Sequence, residues 1–528
     1  MNVIIGDWMS NVLLNQNSQK IFTSTVDKSC RASFTKALLK GQPDLKNGRR
    51  GLFTINRNEI PKLSHRQIQE MKDMNLAEVY NQVLAPLLAQ EFGEEVLRKL
   101  LEAAYDPAKI KLVTEKAIGK THIMWQTGGP TYSFKDYAAR FFAVMLDHVL
   151  SELGQKRIVL VATSGDTGGA IAEAFKGLEN IIVVVMYPKG KVSGGQQRQM
   201  TTLKDNVYAM EVNGCFDTCQ ALAKRMQKDT EFALEAFGLE DIFTSANSIS
   251  IGRLLPQIAY PFYAYSKISN GKEKIVPAIP SGNFGNLTGT LLAWQMGLPV
   301  ERIVCGVNEN TTFLDFLKSG KYQLSNTKYN PSSAMDVSHP NNMMRIFHHY
   351  GGLLYDQKIT GTEKFQNGVV GKYPNLQKMR KDFYVASLDV PGHAGVINEV
   401  FNNLDIRLDP HGAVGFYALQ QYLGNERGGW SGRRFEKSNS QILSLVYETA
   451  DPGKFLDLYD ELRIDVEMPA GMKAQEGLNE RIFRIESKPD HVKIGPGKQD
   501  MAEVLSEGQY QEAKELLMKQ VKKDRRLA

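Results

Sequence analysis

One lysine and two glycine-bearing turns are the residues of this 528-residue chain whose types and spacing suit chemistry. Lys135 follows the turn-forming triplet Gly-Gly-Pro and precedes an apparent amphipathic helix at 137–149. The two turns are Ser-Gly-Asp-Thr-Gly-Gly at 164–169 and Ser-Gly-Asn-Phe-Gly-Asn at 281–286. Each turn follows an apolar run typical of a buried strand, so each is predicted to join a strand to a helix.

These residue types match what pyridoxal phosphate needs from a protein. The cofactor is carried covalently on a lysine amine, which must lose its proton, and Lys135 is the candidate. The cofactor phosphate needs many donors without steric bulk, and glycines at a strand-to-helix junction let backbone N–H groups converge on it. Hydroxyl residues on the second turn suit the carboxylate of an amino-acid substrate. The three segments together predict a pyridoxal-phosphate site.

Each segment alone has a simpler interpretation. A lysine after a turn is usually a solvated surface residue, and turns rich in Gly, Ser and Asp often cap helices in α/β proteins. Neither turn fits a nucleotide-binding motif, because the chain lacks Gly-x-x-x-x-Gly-Lys-Ser/Thr and residues 282–289 do not give Gly-x-Gly-x-x-Gly. ATPase and dinucleotide-binding functions are therefore excluded.

From about residue 33 to residue 455 the chain resembles the threonine synthases, pyridoxal-phosphate enzymes of the tryptophan synthase β-subunit-like fold, fold type II. The resemblance lies in segments that occur in family order at 33–41, 130–136, 163–168, 199–203, 247–249, 282–286, 335–338, 409–415 and 448–450. It implies two open twisted α/β lobes with an N-terminal helical cap region and a C-terminal extension. Four regions are expected: a cap at 1–110, a cofactor-binding α/β core at 111–307, a loop-rich substrate or lid region at 308–440, and a return to the core with a C-terminal element at 441–528.

The resemblance also implies a reaction and a set of site residues. The reaction is that of a carbon–oxygen lyase acting on a phosphate, which converts O-phospho-L-homoserine and water to L-threonine and phosphate in the last step of threonine biosynthesis. Lys135 is the implied catalytic and cofactor-carrying residue, and the Thr449 hydroxyl is placed at the pyridine nitrogen. The backbone of Gly282, Asn283, Phe284, Gly285 and Asn286 is placed on the cofactor phosphate. The implied substrate-binding residues are Ser164, Asp166, Thr167, Asn247, Ser248 and Arg253.

The cation that receives the substrate phosphate is the least defined member of this set. Arg253 is the first choice because it shares a segment with the family-like motif at 247–249, and Arg345, Lys189 and Lys191 are the alternatives. A structural ion pair is an equally good interpretation of Arg253, since arginine often serves such pairs. Two departures from the family pattern bear on the site. Asn-Asn-Met-Met-Arg at 341–345 replaces Ser-Asn-x-Glu-Arg, and Asp451 replaces a histidine, which would change local pKa values.

Two other functions stay open at this point. A different fold type II lyase, such as a threonine dehydratase-like enzyme or a phospho-lyase, would keep Lys135 and the glycine turn but expel another leaving group. A relative that binds the cofactor without turnover and acts through protein partners is the second alternative. Intact Lys135, Thr449 and residues 282–286 argue against that alternative.

The composition limits the binding partners and the cellular compartment that we expect for this chain. The net charge of +6, from 64 basic and 58 acidic residues, is a mild excess without a nucleic-acid-binding stripe. No segment approaches the roughly 18 uncharged apolar residues of a membrane span. Four cysteines are too few for a disulfide scaffold, and no His or Cys cluster indicates a metal site. We therefore expect a cytoplasmic monomer or homodimer that acts on a small molecule and binds no metal, nucleic acid or membrane.

Overall fold

The computed structural model describes residues 20–362, 365–427, 442–494 and 500–527, and these form two compact units. The five-stranded unit comprises Phe142–Asn247 and the described part of Met468–Ala528. The six-stranded unit comprises Ser248–Glu467 and Leu13–Phe141, as far as these are described. The first 19 residues of the predicted cap, the end of the predicted lid region and Gln441 of the predicted final strand lie outside the described residues.

The strands are mostly three to eight residues long. In chain order they are β1 (Phe22–Ser24), β2 (Arg31–Ala32), β3 (Arg49–Arg50), β4 (Phe53–Ile55), β5 (Lys111–Ile118), β6 (Thr121–Gly128), β7 (Arg157–Ala162), β8 (Ile181–Pro188), β9 (Val207–Val212), β10 (Phe243–Ser245), β11 (Ile275–Pro280), β12 (Ile303–Val307), β13 (Leu353–Lys358), β14 (Phe365–Lys372), β15 (Phe383–Ser387), β16 (Leu443–Glu448), β17 (Ile482–Ile485), β18 (Asp490–Ile494) and β19 (Asp500–Val504).

The α-helices range from single turns to nineteen residues. In chain order they are α1 (Phe34–Lys40), α2 (His65–Glu70), α3 (Leu76–Phe92), α4 (Glu94–Ala104), α5 (Lys135–Leu153), α6 (Asp166–Phe175), α7 (Gly194–Thr201), α8 (Phe216–Lys228), α9 (Thr230–Phe237), α10 (Ile251–Leu254), α11 (Ala259–Ile268), α12 (Gly285–Met296), α13 (Thr312–Ser319), α14 (Met343–His349), α15 (Leu376–Asp382), α16 (Val390–Leu404), α17 (Pro410–Arg427), α18 (Leu456–Leu462), α19 (Ala470–Lys473) and α20 (Glu507–Leu516). None of these described helices is long and apolar enough to cross a membrane.

The five-stranded unit is built on a parallel sheet in the order β10-β7-β8-β9-β17. Every residue of β7, β8 and β9 is buried, as expected for a parallel sheet covered on both faces. Apolar residues of α8, α9 and α20 form the core with one face of this sheet. The last strand of the sheet, β17, comes from the C-terminal part of the chain.

The six-stranded unit holds a sheet in the order β15-β12-β11-β16-β6-β5, in which only the edge strand β5 is antiparallel to its neighbour. Helices α16 and α17 supply the apolar residues that cover one face. The adjacent strands β11, β16 and β6 run in the same direction, so the loops after them leave the same edge of the sheet. Ligands of open α/β sheets bind at this carboxyl edge.

The sequence predictions of secondary structure are confirmed along most of the chain. The apolar spacing of residues 67–104 predicts helices, and α2, α3 and α4 correspond to this stretch. The predicted helix at 137–149 lies within α5. The sequence also predicts an amphipathic helix from about Met501. This prediction is wrong at the start of the helix, because residues 500–504 form β19 and pair with β18. The helix begins only at Glu507, where the Ser506 hydroxyl and the Gln509 side chain form a capping box.

Candidate active site

The lysine turn is hydrogen-bonded directly to the residues that follow β16. The Phe134 N–H donates to the Thr449 carbonyl at 2.8 Å, and the Asp451 N–H donates to the Tyr132 carbonyl at 2.9 Å. Tyr132 has a positive φ of 58°, which turns the chain sharply before the half-buried Lys135 opens α5. Lys135 and Thr449, which the sequence analysis placed in one site, are therefore brought together by backbone contacts.

Asp136 holds the lysine turn in shape from within. Its carboxylate accepts hydrogen bonds from the Thr131 N–H at 2.9 Å and the Thr131 hydroxyl at 2.6 Å. A Cβ on Gly129 would collide with this carboxylate, so only glycine fits there. Burial raises the pKa of Asp136 to about 6, although its hydrogen bonds with Thr131 act in the opposite direction. The buried Lys454 ammonium also reaches this turn and donates to the Thr131 carbonyl at 2.8 Å.

Asp409 fixes the backbone at Thr449 from the other side. Its Oδ2 accepts hydrogen bonds from the N–H groups of Thr449 at 3.1 Å and Ala450 at 3.0 Å. Its Oδ1 accepts from the His411 N–H at 2.6 Å and lies 2.5 Å from His411 Nδ1. His411 Nε2 accepts from the Ala334 N–H at 3.3 Å, which assigns the ring proton to Nδ1. The buried Asp409 and His411 thus connect the Thr449 segment to the turn at Ala334.

Glu448, the last residue of β16, lies beside this network and is completely buried. Its Oε1 accepts a hydrogen bond from the Asp409 N–H. Burial and the neighbouring Asp409 carboxylate hold the pKa of Glu448 well above its ordinary value.

The glycine loop, residues 282–286, joins β11 to α12 and presents unused backbone donors. Within the described residues, none of its five N–H groups has a hydrogen-bond acceptor. A Cβ on Gly282 would lie 2.8 Å from the Ala334 carbonyl oxygen, and Phe284 is in the left-handed region with a φ of 59°. The N-terminus of the twelve-residue α12 adds its dipole to these donors. The loop is therefore built to bind an anion such as a phosphate.

Two side chains of the glycine loop have different surroundings. The Asn283 side-chain oxygen accepts hydrogen bonds from the backbone and the side chain of Asn341, which lies just before α14. The Asn286 amide is buried, and neither its oxygen nor its nitrogen has a partner in the described part of the chain. A buried amide without partners is costly, so it fits a polar ligand. With Lys135 and the Thr449 hydroxyl on neighbouring loops, these donors fit pyridoxal phosphate.

Arg345 and Arg253 have different surroundings within the six-stranded unit. The Arg345 guanidinium donates to the carbonyls of Phe53, Ser248 and Ile249 and to the Asn342 side chain, so four of its five N–H groups are occupied. Arg253 lies in α10, and burial lowers its pKa to about 10, although Tyr260 and Asp136 act to raise it. Arg253 therefore keeps its positive charge at neutral pH.

The five-stranded unit carries the other predicted turn. The Thr163 hydroxyl accepts from the N–H groups of Gly165 and Gly168 at 2.9 and 2.8 Å, and Gly165 has a positive φ of 135°. Asp166 Oδ1 accepts from Gln196 Nε2 at 3.0 Å. This leaves the half-buried Ser164 and Thr167 on an ordered turn at the end of β7.

The remaining predicted site residues belong to both units. Asn247 is the last residue of the five-stranded segment, and its N–H donates to the Ser245 hydroxyl at 3.3 Å. Ser248 begins the next segment of the six-stranded unit, and its carbonyl accepts from Arg345 at 3.3 Å. Lys189 and Lys191 are exposed in the five-stranded unit and pair with Glu486 at 3.0 Å and with Glu503 at 3.6 Å.

Comparison with known proteins identifies the family. The family described as pyridoxal-phosphate dependent enzyme matches residues 126–360, and the family described as threonine synthase N terminus matches residues 21–105. The threonine synthase of Escherichia coli is 35% identical over 451 residues, which cover 84% of this chain and 94% of that protein. The chain belongs to the threonine synthase family. The threonine synthase of Schizosaccharomyces pombe is 30% identical over 83% of this chain and 88% of its own length.

Solved threonine synthase structures share the fold. The E. coli crystal structure is 30% identical and superposes with a TM-score of 0.72, covering 88% of this chain and 96% of that one. The pyridoxal-phosphate-bound structure from Brucella melitensis is 28% identical with a TM-score of 0.74, covering 88% and 96%. The yeast structure is 25% identical with a TM-score of 0.76, covering 89% and 96%. These comparisons confirm the predicted family, the fold type II architecture and the pyridoxal-phosphate cofactor.

Sequence reasoning on this threonine synthase family member missed several residues that shape the site. Asp409 and His411 lie in a segment that resembles the family, but no spacing rule showed that Asp409 binds the Thr449 backbone or that His411 binds Asp409. Gln196 was missed as the partner of Asp166. Its signal was the Ser193-x-x-Gln196 capping box at the start of α7, since such a box fixes the side chain at this helix end.

The buried Asp136 gives a testable pH dependence. Its folded-state pKa of about 6 lies above the ordinary 3.8, so the folded state binds this proton more tightly. Its contribution to stability is fully present below about pH 4 and is lost as the pH rises through about 6. The loss amounts to about 3 kcal/mol. We expect urea unfolding to show this loss in the wild type between pH 4 and 7 and a smaller one in Asp136→Asn, which does not titrate. Equal pH dependence in the two proteins would contradict the assignment.

Proposed function

We propose that this protein converts O-phospho-L-homoserine and water to L-threonine and inorganic phosphate. The observation that carries the proposal is the hydrogen bond between Phe134 and Thr449. It joins the lysine turn to the loop after β16, beside the strand that leads into the glycine loop. These are the groups that a pyridoxal-phosphate enzyme needs, and membership of the threonine synthase family supplies the substrate.

We propose the residue roles that the family resemblance implies, and the positions of the backbone N–H donors in the glycine loop support them. When bound, pyridoxal phosphate supplies an electron sink for the substrate carbons. Lys135 holds the cofactor and moves protons at the substrate Cα and Cβ, while the N–H groups of residues 282–286 bind the cofactor phosphate. The Thr449 hydroxyl holds the pyridine nitrogen in its unprotonated form. Asp409 keeps that hydroxyl in place because it binds the Thr449 backbone.

Substrate binding is assigned to a second group of residues. We propose Ser164, Asp166 and Thr167 for the amino-acid part of the substrate, with Asn247, Ser248 and Arg253 for its phosphate. The buried positive charge of Arg253 supports this role, because a phosphate gains most from a cation in a water-poor setting. Arg345 is a weaker alternative since its donors are occupied, and Lys189 and Lys191 already pair with carboxylates. We further propose a cytoplasmic enzyme that acts as a monomer or homodimer.

Replacing Arg253 tests the phosphate assignment. We expect Arg253→Ala to raise the KM for O-phospho-L-homoserine by about 10- to 100-fold with a smaller change in kcat, because it removes charged hydrogen bonds made to the bound substrate. Arg253→Lys keeps the charge and should recover part of the affinity. Steady-state kinetics with added cofactor measure both. An unchanged KM in Arg253→Ala would contradict the role and favour one of the alternatives, Arg345, Lys189 or Lys191.

The activity itself is tested by following two products. Purified protein with pyridoxal phosphate is incubated with O-phospho-L-homoserine, and phosphate and threonine are measured together. Equal yields are expected. Phosphate accompanied by 2-oxobutyrate would instead indicate a fold type II lyase without controlled water addition. Neither product, despite the visible absorbance of lysine-bound cofactor, would indicate another substrate or a non-catalytic relative.

A further inference from the structure

The segment 341–345 comprises the turn before α14 and the start of that helix, and it contacts both the glycine loop and the segment at 248–249. Asn342 Nδ2 donates to the Asn283 carbonyl at 2.8 Å, and Asn341 Nδ2 donates to the Asn283 side-chain oxygen at 3.2 Å. Asn342 is fully buried, whereas Asn341 and Asn283 are half-buried. The turn therefore holds the Asn283 end of the glycine loop.

Arg345 extends the same set of contacts to the second segment. Its Nη1 donates to the Ser248 carbonyl at 3.3 Å and to Asn342 Oδ1 at 2.5 Å, and its Nη2 donates to the Ile249 carbonyl at 2.6 Å. Its Nε donates to the Phe53 carbonyl at 2.8 Å. One planar guanidinium thus joins three chain segments, which the single head group of a lysine could not do.

Arg345 differs from an arginine in an ordinary buried ion pair in the partners of its positive charge. The side chain is completely buried, and it makes no ion pair with a carboxylate in the described part of the chain. Its neighbour Met344 is buried and apolar, so the turn supplies no negative charge. Burial lowers the pKa of Arg345 to about 9, which leaves the side chain charged at neutral pH. An ion buried in this way costs free energy, which favours a specific positional role over a contribution to stability alone.

We propose that Asn342 and Arg345 are a positioning pair that holds the Ser248–Ile249 backbone in register with the cofactor-phosphate loop at Asn283. Neither residue is proposed to touch cofactor or substrate. The pair acts through the backbone carbonyls of Asn283 and Ser248, so cofactor affinity and substrate affinity depend on the same contacts. The inference rests on the proposed function for the roles of Asn283 and Ser248.

The test uses the full-length holoenzyme and its cofactor-free form. Asn342→Asp keeps an acceptor for Arg345 but removes the donor to the Asn283 carbonyl. Arg345→Lys keeps the positive charge but loses most of the hydrogen bonds that the guanidinium donates. We expect each to weaken pyridoxal-phosphate binding and to raise the KM for O-phospho-L-homoserine by about tenfold, with kcat changed less. The double variant should be less affected than the product of the two single effects, because both remove one linkage.

His349→Ala is the matched control, because His349 is a buried polar residue of the same helix α14 that contacts Thr54 instead of either loop. It should lower the urea midpoint without changing cofactor affinity or KM. The proposal is overturned if Arg345→Lys lowers only the urea midpoint, as His349→Ala does, or if the two single effects multiply fully. Cofactor affinity is measured without turnover. A wild type that binds cofactor but forms no threonine would therefore contradict the proposed function and leave this readout intact.

Discussion

Lys135→Ala should abolish the visible absorbance of lysine-bound cofactor and lower threonine formation by at least about a thousandfold. A positioned proton-transfer group alone contributes about 10²- to 10⁴-fold to a rate, and Lys135 is proposed to hold the cofactor as well. The turn before Lys135 is hydrogen-bonded through Phe134 to Thr449, the residue proposed to face the cofactor ring. Lys135 therefore begins α5 next to that contact. An absorbance spectrum and a threonine assay on the same preparation measure both effects.

The substitution should leave the fold intact, because the Lys135 side chain is only half-buried and the backbone contacts of the turn do not depend on it. Lys272→Ala is a suitable control, since Lys272 is an exposed residue of a surface turn. It should match the wild type in absorbance and rate. A Lys135→Ala protein that kept its absorbance and its turnover would show that another amine carries the cofactor.

The central strands could be predicted closely from sequence for a simple reason. Strands β9 and β12 match the predicted runs at 207–212 and 303–307, and β7 extends the predicted run at 158–161 by one residue on each side. Their residues are all buried, and apart from Arg157 in β7 and Glu211 in β9 each strand is a mostly apolar run. Such a pattern lies in consecutive residues, so it can be recognised without knowledge of the tertiary contacts.

Pairings between distant segments could not be predicted in this way. From 123 to 307, short β-branched runs alternate with helical stretches, and this uniform pattern predicts a parallel sheet. In the structure the strands of this region divide between two sheets. Strand β17 pairs with β9 across more than 250 residues, and its own residues are only partly buried. The sequence predicts helix where the short strand β19 forms, because a few alternating residues beside a helix show no clear period. These outcomes depend on tertiary contacts that no short window contains.

The same limit applies to the candidate site. Lys135, the glycine loop and Thr449 could be selected from residue types and motifs, because their chemistry requires those types. The residues that orient them could not, since Asp409 and Arg345 act through backbone groups far away in the chain. Any polar side chain can bind a backbone N–H or carbonyl, so residue type carries no signal for the partner. Only the folded arrangement identifies which buried donors need an acceptor.

Asp409→Ala is expected to destabilise the protein by at least about 3 kcal/mol. The substitution leaves the N–H groups of Thr449, Ala450 and His411 buried without an acceptor, and each such loss costs about 1–3 kcal/mol. It also removes the charged acceptor of the buried His411 Nδ1–H, which adds to this destabilisation. Because the Thr449 backbone is no longer held, kcat should fall as well, even at temperatures where the variant is folded. Urea unfolding and steady-state kinetics measure the two effects separately.

Substitutions at His411 divide the network into its two halves. In His411→Asn the amide nitrogen takes the place of Nδ1 and keeps the donor to Asp409, whereas the acceptor for the Ala334 N–H is lost. In His411→Gln the side-chain head lies near the Nε2 position and the donor to Asp409 is lost. If Asp409 holds Thr449 as proposed, His411→Gln should lower kcat as Asp409→Ala does, but by less. His411→Asn should mainly weaken cofactor binding, because it releases the turn at Ala334, which packs on Gly282. Identical behaviour of the two variants, or a stable and fully active Asp409→Ala, would contradict this division of roles.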